Sequence, residues 1–184
     1  MKQKILGFAK AFPLAIFLPA ALVAASVNAA PPTLQTPEPV IYLADNLDEQ
    51  NNLGYCIDTY GNGWGEQLHI HSCKPEGGDV QFSYNKETRQ IASVEFSGKC
   101  ATLHESAAAG VSFDLLDCSA SSAAQKFMYN ADTSEFMPEA DQSFCISSGT
   151  ESKHVGNAMH RVLTLAPCAT TDATLKQWVI KGGM

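Results

Sequence analysis

The stretch GYCIDTYGNGWGEQLHIHSC, residues 54–73, carries two cysteines on either side of a loop rich in Gly, Asn, Tyr and Trp. Its last six residues, LHIHSC, alternate apolar and polar side chains, which is typical of a half-buried strand. A single copy of such a stretch would be compatible with a redox or metal site. Repeated copies would instead indicate a structural unit, so the rest of the chain decides its meaning.

The stretch has two further copies. Each copy has a leading cysteine, a variable loop, an apolar strand ending in a second cysteine, and a Gln near an aromatic residue. The three sets are CID, LHIHSC and QF at positions 56, 68 and 81; CAT, FDLLDC and QKF at 100, 113 and 125; and CIS, LTLAPC and QW at 145, 163 and 177. The leading cysteines are 44 and 45 residues apart. This period predicts an all-β fold of three units, each with about four short strands, closed into a threefold barrel with a hairpin cap.

The third copy is longer than the others, and its extra residues fall in the polar stretch 149–160, where a longer loop costs little free energy. The segments VSFDLLDC, HRVLTLAPC and LKQWVI are predicted as strands, whereas HESAAAGVS is predicted as a loop. In the first copy Leu68 and Ile70 should point inward, and His69 and His71 should lie on the opposite face. One equivalent position in each copy predicts a buried aromatic residue: Phe82, Phe127 and Trp178.

The six cysteines are interpreted through the same repeat. Six cysteines allow fifteen pairings, but two in each of three units favour one pairing within each unit. The predicted disulfides are Cys56–Cys73, Cys100–Cys118 and Cys145–Cys168. No thiol then remains for catalysis or a metal, and the spacing fits no common zinc pattern.

The N-terminus has the layout of a secretory signal peptide. Residues 1–29 contain three Lys, an apolar run interrupted by prolines, and small residues before a predicted cut after Ala29. An uncleaved membrane anchor is the alternative reading. Residues 30–39, APPTLQTPEP, are predicted to be an extended linker or tail, and residues 40–184 to be the folded domain. The protein should therefore be secreted or periplasmic.

Charge and motifs narrow the classes of function. Residues 30–184 carry nine basic and nineteen acidic side chains, a net charge of −10. Such a surface repels phosphate, so neither nucleic acid nor an anionic membrane surface is an expected partner. No later apolar segment is long enough to insert into a membrane once the signal is removed. No Ser-His-Asp, HExxH, Walker or GxSxG pattern occurs, so neither an enzyme nor a bound cofactor is expected.

These marks resemble the ricin B-type lectin family. The resemblance rests on CID at 56–58, the LxIxxC type of strand, and degenerate Gln-x-Trp elements at 125–127 and 177–178. It covers about residues 40–181 and implies a β-trefoil. It also implies non-catalytic binding of glycans, typically of the galactose type, in shallow pockets with at most one per repeat.

The resemblance points to one pocket, in the first repeat. In the family an acid two residues after the first cysteine binds sugar hydroxyls, an aromatic residue two before the second cysteine stacks on the ring, and a polar pair precedes the Gln-x-Trp element. Asp58, His71 and Asp79 stand at or near these places. The second and third repeats have residues that make poor sugar ligands at the first two of them: Thr102 and Leu116, and Ser147 and Ala166.

The Gly-rich loop YGNGW adds three candidate sugar contacts: Tyr60, Asn62 and Trp64. Other readings stay open. Asp58 could simply shape its own turn, and Trp64 could be a lid over the barrel. His71 could be an ordinary surface residue, and the two histidines of the HIH segment are too few for a metal site.

A second class of function is a protein-interaction or toxin-accessory subunit on the same fold. The degenerate pockets favour it. Lectin-like subunits of cytolethal distending toxin are similar in size and fold class, and a protein partner is then expected.

Overall fold

The computed structural model describes residues 30–61 and 64–183, so the predicted signal peptide and Asn62 lie outside the described residues. The described residues form thirteen strands and one short helix: β1 (Val40–Leu43), β2 (Tyr55–Thr59), β3 (Leu68–Ser72), β4 (Phe82–Asn85), β5 (Gln90–Ser93), β6 (Lys99–Leu103), β7 (Phe113–Asp117), β8 (Phe127–Asn130), β9 (Glu135–Pro138), β10 (Phe144–Ser148), β11 (Lys153–Val155), β12 (Ala158–Pro167), α1 (Ala173–Lys176) and β13 (Trp178–Lys181). Residues Ala123–Gln125 add one 3₁₀ turn.

Twelve of these strands divide evenly among the three repeats. The first repeat contains β1 to β4, the second contains β5 to β8, and the third contains β9, β10, β12 and β13. The remaining strand, β11, belongs to the longer loop of the third repeat. The all-β threefold barrel predicted from the repeat and the β-trefoil implied by the family resemblance are confirmed.

One strand from each repeat, β3, β7 or β12, meets the other two in the hairpin cap of the barrel. β12 pairs with β3 in an antiparallel register from His160 opposite His71 to Val162 opposite His69. A bridge between Gln67 and Asp114 joins the start of β3 to β7, and a bridge between Ser112 and Thr164 joins the start of β7 to β12. Each of the three strands therefore bonds to both others, and the hairpins β2–β3, β6–β7 and β10–β12 form a threefold cap on the barrel.

Three antiparallel pairs supply the six strands of the barrel: β4–β5, β8–β9, and the pair that β1 makes with β13. β1 also packs against β4, which helps to close the ring. Two equivalent backbone bonds connect the three pairs. The N–H of Phe127 donates to the carbonyl of Arg89 at 2.8 Å, and the N–H of Trp178 donates to that of Ser134 at 2.7 Å. Arg89 and Ser134 both have positive φ, at 56° and 60°, so the two repeats turn in the same way.

The predicted disulfides are confirmed as Cys56–Cys73, Cys100–Cys118 and Cys145–Cys168. Next to each bridge, the N–H of the second cysteine donates to the carbonyl two residues before the first cysteine. The acceptors are Gly54 at 2.9 Å, Gly98 at 2.8 Å and Ser143 at 2.9 Å. The three disulfides thus occupy equivalent positions in the backbone hydrogen bonding as well as in the sequence repeat.

The core contains the aromatic residues that the repeat singles out. Phe82, Phe127 and Trp178 are fully buried in one cluster together with Leu68 and Ile70. The indole of Trp178 donates to the carbonyl of Ile146 at 2.9 Å, which satisfies its polar atom inside the core. The inward face predicted for β3 is confirmed.

Two segments differ from the strand predictions. In LKQWVI, Leu175 and Lys176 belong to α1, and the strand begins only at Trp178. Asp172 caps this helix by accepting a hydrogen bond from the N–H of Thr174, which favours a helical turn at this point. The polar stretch 149–160 also contains regular structure, because β11 pairs with the start of β12. HESAAAGVS contains only turns and bends before its last residues reach β7, as predicted.

Residues 30–39 contain no helix and only the start of the bend into β1, but they contact the first repeat. The N–H of Ala30 donates to Asp45 at 2.8 Å, and the N–H of Thr33 donates to the carbonyl of Asn52 at 2.7 Å. The side chain of Gln81 donates to the carbonyl of Pro37 at 3.2 Å. In the described part of the chain, no helix has the length and apolar character needed to cross a membrane.

Candidate functional site

Lys74 connects the two acids that the sequence assigns to the pocket. Its ammonium lies 3.1 Å from Oδ2 of Asp58 and 2.5 Å from Oδ1 of Asp79. Asp58 sits on β2 and is only 1% exposed. Lys74 directly follows Cys73, so the disulfide and the end of β3 position it over Asp58. The sequence reasoning missed Lys74, although its place beside the second cysteine was a usable signal.

This ion pair changes what Asp58 offers to a ligand. Burial alone would lower the pKa of Lys74, but hydrogen bonds and charge attraction from Asp79 and Asp58 raise it, so the ammonium stays protonated. Oδ2 of Asp58 faces that cation. Oδ1 is buried and has no hydrogen-bond partner among the described residues. The carboxylate is therefore engaged inside the protein rather than open to solvent.

The two histidines of β3 are more enclosed than the alternation predicts. His71 is partly buried, and its Nδ1 lies 2.9 Å from the carbonyl of Ser72, which makes Nδ1 the protonated nitrogen. His69 is only 7% exposed. The ring of Tyr60 packs edge-on against it with centroids 5.0 Å apart, and the ring of His160 lies 5.4 Å away. These two rings cover a side chain that was expected to lie on the outer face.

His160 comes from the third repeat and completes a cluster of three histidines. It stands opposite His71 in the pairing of β12 with β3. Its Nδ1 lies 3.4 Å from Nδ1 of His69. We call His69, His71 and His160 the histidine cluster. Sequence reasoning missed His160 because no periodicity relates it to the first repeat.

A pocket of about 410 Å³ opens above the histidine cluster. Its lining comes from two repeats: Tyr60, Gly61, His69, His71 and Lys74 from the first, and Val155, Ala158 and His160 from the third. Tyr60 is 53% exposed and can present its ring to a ligand. The β11–β12 hairpin supplies the third-repeat wall, so the longer loop of that repeat shapes the pocket of the first.

The surroundings of His71 and His160 favour the neutral form of these two imidazoles. Desolvation lowers the pKa of His71. Desolvation, followed by repulsion from His69, His71 and Lys153, lowers the pKa of His160. At neutral pH the pocket therefore presents neutral imidazoles beside one ammonium group. Within residues 30–61 and 64–183, no three His, Cys, Asp or Glu side chains are arranged to hold a metal ion.

Trp64 lies outside this pocket. It is 46% exposed, its ring contacts Phe96 edge-on at 5.1 Å, and the ammonium of Lys99 lies 4.8 Å from its centre. Both partners belong to the second repeat. Of the six predicted sugar contacts, Tyr60 and His71 line this pocket. Asp58 and Asp79 lie behind the lining residue Lys74, which pairs with both.

The other two repeats use the equivalent of Asp58 internally. Thr102 is buried, accepts from the side chain of Gln125 at 2.9 Å and donates to the carbonyl of Cys100. Ser147 is buried and donates to the carbonyl of Ser148. A larger depression of about 690 Å³ lies between the β4–β5 hairpin, the β8–β9 hairpin and β13, and its lining includes Tyr84 and Trp178. It shares no lining residue with the pocket above the histidine cluster.

The sequence matches the family of ricin-type beta-trefoil lectin domains over residues 46–178. Because this match covers most of the chain, the protein belongs to that family. Comparison with curated proteins gives no match.

Solved structures share the fold at low sequence identity. The β-trefoil lectin of the Vibrio vulnificus hemolysin/cytolysin, solved with N-acetyl-D-lactosamine bound, is 15% identical with a TM-score of 0.53, and the match covers 79% of this chain and 94% of that one. An agglutinin from Abrus precatorius is also 15% identical, with a TM-score of 0.54 and coverage of 79% and 47%. GalNAc-T7, solved with UDP, GalNAc and Mn²⁺, is 19% identical, with a TM-score of 0.50 and coverage of 69% and 20%. The chain thus spans a fifth of the transferase and about half of the agglutinin.

Proposed function

We propose that this protein is an exported, non-catalytic lectin with a single working sugar pocket, the one above the histidine cluster. Membership of the ricin-type lectin family supports carbohydrate binding. The family's preference supports glycans of the galactose type, and the hemolysin/cytolysin lectin binds N-acetyl-D-lactosamine on the same fold.

The observation that carries the proposal is the position and chemistry of this pocket. It lies beside Asp58, the residue to which the family resemblance assigns sugar binding, and the exposed ring of Tyr60 lines it. Aromatic rings stack on the apolar C–H face of a sugar. The imidazole of His71 and the ammonium of Lys74 can bond sugar hydroxyls. The equivalent positions in the other repeats, Thr102 and Ser147, are used in internal hydrogen bonds.

Export is proposed from two independent features. Residues 1–29 have the layout of a signal peptide. The three disulfides are of the kind that persists in oxidising compartments. The mature chain, residues 30–184, would then act in the periplasm or outside the cell.

A glycan array with residues 30–184 tests the proposal, using Tyr60→Ala and Trp64→Ala as a matched pair. Both side chains are exposed aromatics flanking the same loop, but only Tyr60 lines the pocket. We expect galactose-type glycans to bind, Tyr60→Ala to weaken binding by about tenfold, as expected for a lost ring contact, and Trp64→Ala to leave it unchanged. A cooperatively folding protein that binds no glycan would disprove the function. Loss of binding in Trp64→Ala alone would move the site to the second repeat.

The second candidate is a protein-interaction subunit, as in a toxin complex. Two exposed apolar side chains beside the pocket favour it, Val155 on β11 and Val162 on β12. A partner protein could cover them and gain hydrophobic contact. Capture of one stable partner from the secreting cell, lost in Val162→Asp while glycan binding is absent in the parent protein, would favour this function over the lectin.

A further inference from the structure

The pocket lining carries an ammonium and a phenol, and none of its residues is an acid, where a lectin of this family would present a carboxylate. Asp58 and Asp79 both bind Lys74, and Asp58 is almost completely buried. Neither acid lines the pocket, whereas Lys74 does. An ammonium with two carboxylate partners retains one N–H for a ligand. The phenol of Tyr60 has no hydrogen-bond partner within the described part of the chain and can donate as well.

The hydrogen-bonding groups that line the pocket indicate the class of ligand. Neutral sugars offer hydroxyls, and an exposed carboxylate is the group that takes two neighbouring hydroxyls at once. In this protein the corresponding carboxylate, that of Asp58, is buried and paired with Lys74. A ligand that brings its own acceptor, a carboxylate or a sulfate, complements an ammonium and protonated imidazoles better than a hydroxyl does.

The net charge around the histidine cluster couples the binding of an anionic ligand to the binding of protons. With neutral imidazoles, Asp58, Asp79 and Lys74 sum to a charge of −1, which opposes an anion. One proton on the histidine cluster cancels that charge, and a second makes the site positive. A further cation, Lys153 on β11, acts on His160. Binding of an anion and uptake of a proton should therefore favour each other.

His71 is suited to receive that proton. Its Nδ1 already donates to the carbonyl of Ser72, so an added proton goes to Nε2 and leaves this bond intact. Nε2 has no hydrogen-bond partner among the described residues, and neither has Nε2 of His160. Desolvation holds the pKa of both residues below the usual range, so an anionic ligand is needed to draw protons onto them near pH 6.

Resting on the proposed lectin function, we propose that the pocket selects saccharides bearing a carboxylate or a sulfate and binds them together with a proton taken up by the histidine cluster. The binding is stronger in mildly acidic than in neutral solution.

Titration calorimetry with residues 30–184 and three probes tests this inference: N-acetyllactosamine and its 3′-sialylated and 3′-sulfated forms, at pH 5.5 and pH 7.5. We expect the anionic forms to bind more tightly than the neutral one, and roughly tenfold more tightly at the lower pH, with net proton uptake seen as a dependence of the heat on the buffer. The sialylated and sulfated arms separate carboxylate from sulfate recognition, and a preference for either supports the inference.

Two results would overturn it. If N-acetyllactosamine binds as tightly as its anionic forms at both pH values, the inference fails and the lectin function stands. If none of the probes binds and the glycan array is also empty, both proposals fail.

Histidine variants locate the effect. His160→Gln should reduce the number of protons taken up on binding, and His71→Gln/His160→Gln should remove the pH dependence. His154→Gln is the matched control, because His154 is exposed on the neighbouring strand β11 and lies outside the pocket lining. Unchanged proton uptake in the single variant, with an unfolding midpoint near that of the parent, would place the titrating group elsewhere and contradict the assignment.

Discussion

His160 on β12 stands opposite His71 on β3, so a residue of the third repeat lines a pocket that the sequence assigns to the first. The two strands pair because one hairpin from each repeat meets the other two in the cap of the barrel. Next to this pairing, the β11–β12 hairpin adds Val155 and Ala158 to the pocket wall. This addition has no counterpart in the strands described for the other repeats, and it breaks the threefold symmetry at the candidate site.

The third-repeat wall gives a direct test of the location of the site. Ala158→Trp should fill the pocket and abolish glycan binding, because the indole would take the space of a ligand. Ala158 is partly exposed, so the midpoint of unfolding in urea should change little. Ala109→Trp, in an exposed loop of the second repeat, is the control and should bind normally. Normal binding by Ala158→Trp would exclude this pocket.

Lys74 should matter for stability as well as for binding. Lys74→Met would leave the buried charge of Asp58 without its cation, which we expect to cost about 3 kcal/mol of unfolding free energy. Lys74→Met/Asp58→Asn should recover more than half of that loss, because the charge itself is then removed. Both values come from urea denaturation at pH 7. A single-variant cost close to zero would show that Asp58 gains little from Lys74.

Asp48 should make the protein sensitive to acid. Partial burial raises its pKa, but hydrogen bonds from Arg161, Ser152 and Tyr55 outweigh this and lower it to about 2. Since the unfolded value is about 3.9, the ionised group stabilises the fold fully above about pH 4, and this contribution is lost as the pH falls toward 2. Asp48→Asn should flatten the curve of unfolding free energy in that window. Asp132→Asn, in an exposed turn, should leave the curve as in the parent protein.

The three disulfides should contribute similar amounts of stability. They join residues 17, 18 and 23 apart, and the chain-entropy model gives each about 3 kcal/mol, with differences of only a few tenths. Replacing the cysteines of one bridge at a time by Ser, followed by urea denaturation, measures each contribution. If removal of one disulfide lowers the free energy of unfolding by less than about 1 kcal/mol, the three disulfides do not contribute equally.

The Gln residues of the degenerate Gln-x-Trp elements should differ in importance. Gln125 is 2% exposed; its amide donates to Thr102 and to the carbonyl of Asp117, and its carbonyl oxygen accepts from the N–H of Ser119. Gln125→Ala leaves these buried groups without hydrogen-bond partners and should lower the free energy of unfolding by about 3 kcal/mol. Gln177 makes one side-chain bond, at 3.3 Å and partly exposed, so Gln177→Ala should cost less than about 1 kcal/mol. Equal costs in urea denaturation would refute this ranking.

The repeat in the sequence was enough to predict a threefold all-β barrel, the disulfide pairing and the buried residues Phe82, Phe127 and Trp178. Each of these depends on a pattern that recurs about every 45 residues or alternates along a strand. The strand predicted for LKQWVI was wrong in part, because Asp172 caps a short helix there. This local hydrogen bond competes with strand propensity.

The composition of the pocket needed the three-dimensional arrangement. Asp58, Tyr60 and His71 were identified from motif and loop, but nothing in their spacing shows that Lys74 caps Asp58 or that His160 covers His69. The reason is physical: alternation and periodicity report contacts within a strand or between equivalent repeats. The charge and shape of the pocket come from the register of β12 against β3, which joins residues about ninety positions apart.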